Sequence, residues 1–257
     1  MNLPYFEGLI REVYVLKVTK TSMSTWMQNT KERIELLRRN GYFENWRVKN
    51  TENINFYIFP KLDIPIDWFE KRENIYKKNA TLFEIKSPPK IEFYVYPSPD
   101  SVKDLGIVPA VSFLKKREIH GHLKQSAGHE LTHILLGEIN PSENFPPNGL
   151  WAEGICTYYD GTETDRRKHT TTLNYSKDIL STGWSSWNEN LPGDLYPLAG
   201  SIVQYCANTY ELKEVLRFVK GMRDGGTNVE SLCLEIFHVS YQKLQSDWEE
   251  WLKKAAS

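Results

Sequence analysis

A short apolar segment carries two histidines and a glutamate at a spacing that could serve chemistry. The segment is GHELTHILLG, residues 128–137, and it contains His129, Glu130 and His133. An α-helix turns by about 100° per residue, so side chains four positions apart lie above one another on the same face. The two imidazoles would therefore point at one spot. Neutral imidazole nitrogens bind zinc well, and Glu130 could reach a water at the metal and act as its general base.

The competing interpretation of the same residues is a core helix with two hydrogen-bonded histidines. The residues around them are apolar, so a helix that needed only packing would carry apolar side chains at these positions too. Burying two imidazoles and a carboxylate without partners is also costly. We therefore interpret the segment as a zinc-binding H-E-x-x-H motif.

A catalytic zinc needs a third protein ligand and one open position for water. Glu153 is the candidate: it lies in LWAEG, residues 150–154, on the next predicted helix, after a loop long enough to reverse the chain. Its neighbours are apolar, so its carboxylate would be a buried charge in need of a cation. The alternative is a solvated acid near a helix start, where the helix dipole favours it. We expect His129, His133 and Glu153 to bind Zn²⁺, although such a ligand set can also hold iron.

HELTH followed by WAEGICTYY, residues 151–159, resembles the gluzincin clan of zinc metallopeptidases, most closely its peptidase-MA-like families. In those families a glutamate in a following helix is the third ligand and begins an E-G-x-x-x-Y pattern, here Glu153, Gly154 and Tyr158. The resemblance implies a zincin-like α+β fold with a small sheet before the zinc helix. It also implies that Tyr196, at the start of a later helix, faces the zinc and stabilises the oxyanion. The resemblance covers residues 54–255, but only the zinc motifs are specific.

Two features depart from the families compared. The chain has no G-x-M-E-N-like segment, so an aminopeptidase is not supported. Thr157 stands where the thermolysin-like pattern places an aspartate, which leaves the group that orients a ligating histidine unidentified. Tyr196 can equally be a core tyrosine at a helix interface. Other candidates for the oxyanion donor are Tyr205, Tyr158 and His169.

Hydrophobic periodicity predicts a mixed first part of the chain and a helical second part. The predicted strands are 12–18, 54–59, 91–96 and 117–122, and the predicted helices are 22–40, 66–80, 124–136, 149–159, 194–209, 211–222, 228–238 and 240–255. Residues 138–148 are predicted as a loop and 161–193 as irregular, with Gly137 ending the zinc helix. We expect one zincin-like catalytic domain over 1–257, with an α+β lobe at 1–123 and a helical lobe carrying the zinc site at 124–257.

His120 and His122 alternate on the strand predicted just before the zinc helix. The simpler interpretation is that they are exposed strand histidines. The alternative is that this strand lies at the edge of the sheet and pairs with the backbone of a substrate, as in related sites.

The composition narrows the class of protein. The chain has 257 residues and a formal net charge of -1, which gives no electrostatic reason to expect a nucleic-acid partner. No run approaches the ~18 apolar residues of a membrane span, and no signal peptide is recognisable, so a cytoplasmic location is expected, although a trimmed secreted chain would look the same. Cys156, Cys206 and Cys233 are expected to be buried free thiols.

The leading hypothesis is a zinc-dependent peptidase that acts on a peptide or protein substrate. A zinc-activated water would attack the peptide carbonyl, with Glu130 as its base. Two alternatives remain open: a zinc-stabilised binding or regulatory domain without catalysis, and a zinc hydrolase of a non-peptide substrate.

Overall fold

A small mixed sheet is followed along the chain by a series of helices. The computed structural model describes residues 23–140, 149–162, 195–222 and 228–256. The first part contains α1 (Met23–Arg39), β1 (Arg47–Asn50), β2 (Ile54–Ile58), α2 (Ile66–Leu82), β3 (Ile91–Tyr96), α3 (Pro99–Lys103), β4 (Val111–Phe113) and β5 (Glu118–His122). The second part contains α4 (His129–Ile139), α5 (Gly149–Tyr158), α6 (Leu195–Tyr210), α7 (Leu212–Gly221), α8 (Val229–Leu232), a π-helical turn (Cys233–Phe237) and α9 (Tyr241–Ala256). Among the described residues every strand precedes Leu123, so the chain is α+β as expected.

The sheet has five strands in the order β1-β2-β3-β5-β4. β2, β3 and β5 run parallel, with Ile54 opposite Ile91 and Phe93 opposite Ile119. The two outer strands, β1 and β4, are antiparallel to their neighbours. The short β4 therefore forms one edge, and β5 is an interior strand.

Side chains alternate between the two faces of the sheet along each strand, and a buried core lies on each face. On one face Phe93 and Ile119 join a large core that includes Leu131 and Leu135 of α4. On the other face Tyr94 and Tyr96 join a second, smaller core that includes Ile34 of α1. α4 is therefore packed against the sheet through its apolar residues, which leaves its other face for the histidines.

The helix that carries the two histidines begins at His129, not at Lys124 as predicted. The backbone before it is used otherwise: the Gln125 amide donates to the His122 carbonyl, and Gly128 donates to the Asp160 carbonyl. Gly137 does not end the helix, which continues to Ile139. Residues 124–128 therefore form a connection between β5 and α4 and not the first turn of the helix. Their sequence is compatible with a helix, but their hydrogen bonds go to neighbouring elements.

Most other predicted elements are confirmed within one to three residues. The strands at 54–59, 91–96 and 117–122 are present, and so are the helices predicted at 22–40, 66–80, 149–159, 194–209, 211–222 and 240–255. The helix predicted at 228–238 is a short α-helix that continues as a π-helical turn. β1, β4 and α3 were not predicted. The strand predicted at 12–18, most of the loop at 138–148 and most of the segment 161–193 lie outside the described residues.

The prediction that His120 and His122 are exposed is wrong. Their exposed fractions are 0% and 9%, because β5 lies between β3 and β4 and its side chains face packed layers. For the same reason β5 is not an edge strand that could pair with a substrate. No helix in the described part of the chain is long and apolar enough to cross a membrane.

Candidate metal centre

The two histidines of α4 and the glutamate of α5 converge on one point. The Oε2 atom of Glu153 lies 3.0 Å from the Nε2 atom of His129 and 3.4 Å from the Nε2 atom of His133. The two Nε2 atoms are 3.3 Å apart. One potential ligand atom from each residue therefore lies within 4.8 Å of the others. The structure brings together the three residues that the sequence singled out as metal ligands.

Glu153 reaches this point because α5 is buried from Gly149 to Thr157. Its neighbours Leu150, Trp151 and Ile155 are all in the core, with an exposed fraction of 0%. The carboxylate of Glu153 is itself buried, and only 4% of the residue is exposed. A solvated acid at a helix start, the alternative considered for this residue, is thus excluded.

The burial of these groups is offset by their mutual electrostatics. Burial alone would raise the pKa of Glu153, but the charges and hydrogen bonds of His133 and His129 outweigh it and hold the pKa at about 2. Burial alone would lower the pKa of His133, yet its pKa is raised well above the ordinary value, with Cys156 and Glu153 as the opposing influences. Among the described residues, the negative charge of Glu153 is therefore compensated only by the imidazoles of His129 and His133. A divalent cation bound between these residues could provide the same compensation.

The donor set fits zinc. Two imidazole nitrogens and one carboxylate oxygen are the ligand types that a catalytic zinc site uses, and a three-residue set leaves room for a further ligand. The residues are held by two helices rather than by loops, so little ordering would be needed on binding. The same set is compatible with iron, so the chemistry of the donors favours but does not single out zinc.

Cys156 is a neighbour of His133 that sequence reasoning missed. It lies three residues after Glu153 on α5, has an exposed fraction of 0%, and contributes to the raised pKa of His133. Burial raises the pKa of this thiol to about 12, although His133 opposes the effect, so the thiol is protonated and is not a thiolate ligand. Its i+3 spacing from Glu153 was the signal that could have found it. All three cysteines are buried and free, as expected.

Tyr196 lies beside the histidines. Its ring centroid is 5.7 Å from that of His129, and the two rings are inclined by 72°. Burial raises the pKa of the phenol, and the charges of Glu153 and Glu130 raise it further, so the hydroxyl stays protonated. Glu130, on the same helix as the two histidines, is also buried, with 8% of its surface exposed.

The rival candidates for the oxyanion donor have other recorded neighbours. The ring of Tyr205 packs against Tyr210 and Trp251, and the ring of Tyr158 packs against Tyr159. His169 lies outside the described residues. Tyr196 is thus the one of these four residues for which the structure records a contact with a histidine of the site.

No protein-family model matches the chain, and no curated protein matches it either.

Proposed function

We propose that the protein is a zinc-dependent peptidase of the gluzincin type, with a zincin-like fold. The observation that carries the proposal is the convergence of His129, His133 and Glu153, with Glu130 on the same helix as the histidines. His129, His133 and Glu153 would hold the ion. A bound zinc ion would supply Lewis acidity, which polarises a carbonyl and lowers the pKa of water.

The remaining chemistry belongs to side chains of this chain. Glu130 accepts the proton of the attacking water and then delivers it to the leaving amine. Tyr196 donates a hydrogen bond to the oxyanion that develops on the carbonyl oxygen, and its raised pKa keeps the donor proton in place.

The presence of Glu130 favours catalysis over metal binding alone. A site that only stabilised the fold would need the three ligands but no additional carboxylate. Glu130 lies in the first turn of α4, and only 8% of its surface is exposed. A helix that needed only to pack would carry an apolar residue at such a position. The resemblance to gluzincins in HELTH and WAEG supports the same function.

The test compares the parent protein with Glu130→Gln, a variant that keeps the shape of the side chain but removes its basicity. Metal content and cleavage of a broad peptide library are measured for both. We expect both proteins to bind one zinc ion and the variant to cleave roughly 10²- to 10⁴-fold more slowly.

Four results would contradict the proposal in different ways. A parent protein that binds no zinc contradicts the metal site. Zinc binding without cleavage of any peptide favours a binding domain, and cleavage of esters or epoxides but not peptides favours another hydrolase. Equal cleavage by parent and variant would show that Glu130 is not the base.

A further inference from the structure

Asn79 links the two helices that carry the proposed ligands. It lies near the end of α2, with 2% of its surface exposed. Its amide Nδ2 donates one hydrogen bond to Thr132 Oγ1 at 2.9 Å and another to the Tyr159 carbonyl at 2.8 Å. Both hydrogens of the amide are thereby used. Thr132 belongs to α4, and Tyr159 directly follows α5.

These contacts are part of a closed ring of hydrogen bonds. Thr132 Oγ1 donates to the Gly128 carbonyl at 2.8 Å, and the Gly128 amide donates to the Asp160 carbonyl at 2.8 Å. Asp160 is bonded covalently to Tyr159, which accepts from Asn79. The ring therefore ties the first turn of α4, which contains His129 and Glu130, to the end of the Glu153 helix.

The backbone contact within this ring leaves no spare room. A β-carbon on Gly128 would lie 2.6 Å from Ile75 Cγ2 and 2.9 Å from the Asp160 carbonyl oxygen. Ile75 is one turn before Asn79 on α2. The end of α2 thus touches both ligand helices at the point where they meet, by packing at Ile75 and by hydrogen bonds at Asn79.

We propose that Asn79 is a positioning residue for the metal centre, an inference that rests on the proposed function. A metal site requires its ligand atoms at distances defined to about 0.2 Å, and here they come from two helices. A buried amide that bonds to both helices fixes how far one can slide past the other. Such hydrogen bonds are stronger in a low-dielectric interior than in water.

A substitution of Asn79 could also weaken zinc binding through a general loss of stability. A matched control is therefore needed, and Tyr76 provides it. Tyr76 lies one turn before Asn79 on α2 and has an exposed fraction of 0%. Its hydroxyl donates to the Pro89 carbonyl, which belongs to neither ligand helix. Tyr76→Phe therefore removes a buried hydrogen bond from the same helix without touching the ring.

The experiment measures two quantities for the parent, Asn79→Leu, Thr132→Val and Tyr76→Phe. The first is the zinc dissociation constant, by competition with a chelating dye, and the second is the Tm of the zinc-free protein. We expect Asn79→Leu and Thr132→Val to weaken zinc binding by about tenfold or more, as removing groups that orient ligands commonly does. Tyr76→Phe should lower the Tm but leave the zinc dissociation constant within about twofold of the parent value. The double variant of Asn79 and Thr132 should weaken binding by little more than either single change, because both break one ring.

Each outcome decides the inference. If Asn79→Leu binds zinc as tightly as Tyr76→Phe, the positioning role is wrong, although the proposed function stands. If the parent binds no zinc, both the inference and the proposed function are overturned. If Asn79→Leu does not fold, Thr132→Val alone decides. Weakened zinc binding in Thr132→Val would support the positioning role of the ring of hydrogen bonds, and parental zinc binding would overturn it.

Discussion

The backbone of Gly154 lies directly against the carbonyl oxygen of Ala199. A β-carbon at Gly154 would be 2.4 Å from that oxygen and 2.9 Å from Val203 Cγ2. Gly154 follows the proposed ligand Glu153 on α5, and Ala199 lies one turn after Tyr196 on α6. The missing side chain therefore lets α6 approach α5 closely enough to place Tyr196 beside His129.

Gly154→Ala should push α6 away from α5. The added methyl group meets backbone rather than a flexible side chain, so the free energy of unfolding should fall by about 1–3 kcal/mol. The displacement of Tyr196 should also lower kcat, while bound zinc is retained. Thermal melts, metal content and peptide cleavage measure the three effects.

Gly137→Ala is the matched control for that change. A β-carbon there would lie 3.2 Å from Leu114 Cβ and 3.3 Å from Leu114 Cδ1, so only a small adjustment is needed, and the position is at the far end of α4. We expect its kcat to equal that of the parent. A Gly154→Ala variant with parental kcat and Tm would show that the close approach of α5 and α6 is not needed.

Tyr196→Phe should reduce hydrolysis without loss of metal. The change removes only the hydroxyl, and loss of one oxyanion donor commonly lowers kcat by about 10²- to 10³-fold. Zinc affinity should be close to the parental value, because the ring still packs against His129. Tyr205→Phe on the same helix, whose ring packs against Trp251, should keep parental kcat. Full activity in Tyr196→Phe would instead identify a core tyrosine.

Metal removal should destabilise the parent protein. A ligand that binds only the folded state stabilises it by about 2.7 kcal/mol at 100 times its dissociation constant, so adding a chelator should lower the Tm. Glu153→Gln should abolish most of this shift, because a neutral amide replaces the buried carboxylate between the two imidazoles. Glu130→Gln should keep the shift. If the chelator lowered the Tm of Glu153→Gln by as much as it lowers the Tm of the parent, Glu153 would not be one of the ligands.

The sequence singled out the three residues that converge in the structure because their signals are local. His129 and His133 are four residues apart on one helix, and Glu153 is an acid in an otherwise apolar segment. The strands Ile54–Ile58 and Ile91–Tyr96 were equally visible, since apolar β-formers mark them. In each case a few neighbouring residues carry the physical cause of the structure.

The elements that were missed depend on distant partners. β1 has the polar sequence RVKN with every residue exposed, and it is a strand because its backbone pairs with β2. The bond between Asn79 and Thr132 spans 53 positions, so no local pattern indicates it. The alternation of His120 and His122 correctly indicated a strand, but the burial of His120 depends on groups packed over that face of the sheet, such as the rings of Tyr94 and Phe43. Tertiary contacts of this kind leave no periodic signal in the chain.

His120 belongs to a buried polar cluster on the sheet face that carries Tyr94 and Tyr96. Its Nε2 atom lies 2.8 Å from Glu118 Oε1, its Nδ1 atom lies 2.8 Å from the Tyr96 hydroxyl, and its ring stacks on Tyr94 at 4.6 Å. Arg38 binds the other carboxylate oxygen of Glu118 at 2.8 Å. Glu118 is thus paired with Arg38 whether or not His120 is charged.

The stability that His120 contributes should fall with acid. Burial lowers its pKa below the ordinary value of 6.5, although the hydrogen bond that the ring donates to Glu118 opposes this, so the folded protein keeps the ring neutral. The unfolded chain takes up a proton at the ordinary pKa and is stabilised relative to the folded state. The stability that the neutral ring of His120 contributes is therefore fully present at a pH above the pKa of this residue in the unfolded chain. It is lost as the pH falls through the lower pKa that His120 has in the folded protein.

Comparison with His120→Gln isolates this effect, because glutamine can hydrogen-bond but does not titrate. In the presence of chelator, the difference in Tm between parent and variant should narrow as the pH falls from about 7.5 to about 5.5. In the parent, burial would raise the pKa of Glu118, but His120 and Arg38 outweigh it and lower the pKa from 4.5, so the titration of Glu118 lies below this range. A difference that widens with acid would mean that His120 is protonated in the folded protein, with Glu118 as its ion-pair partner, and would reverse the assignment of a neutral ring.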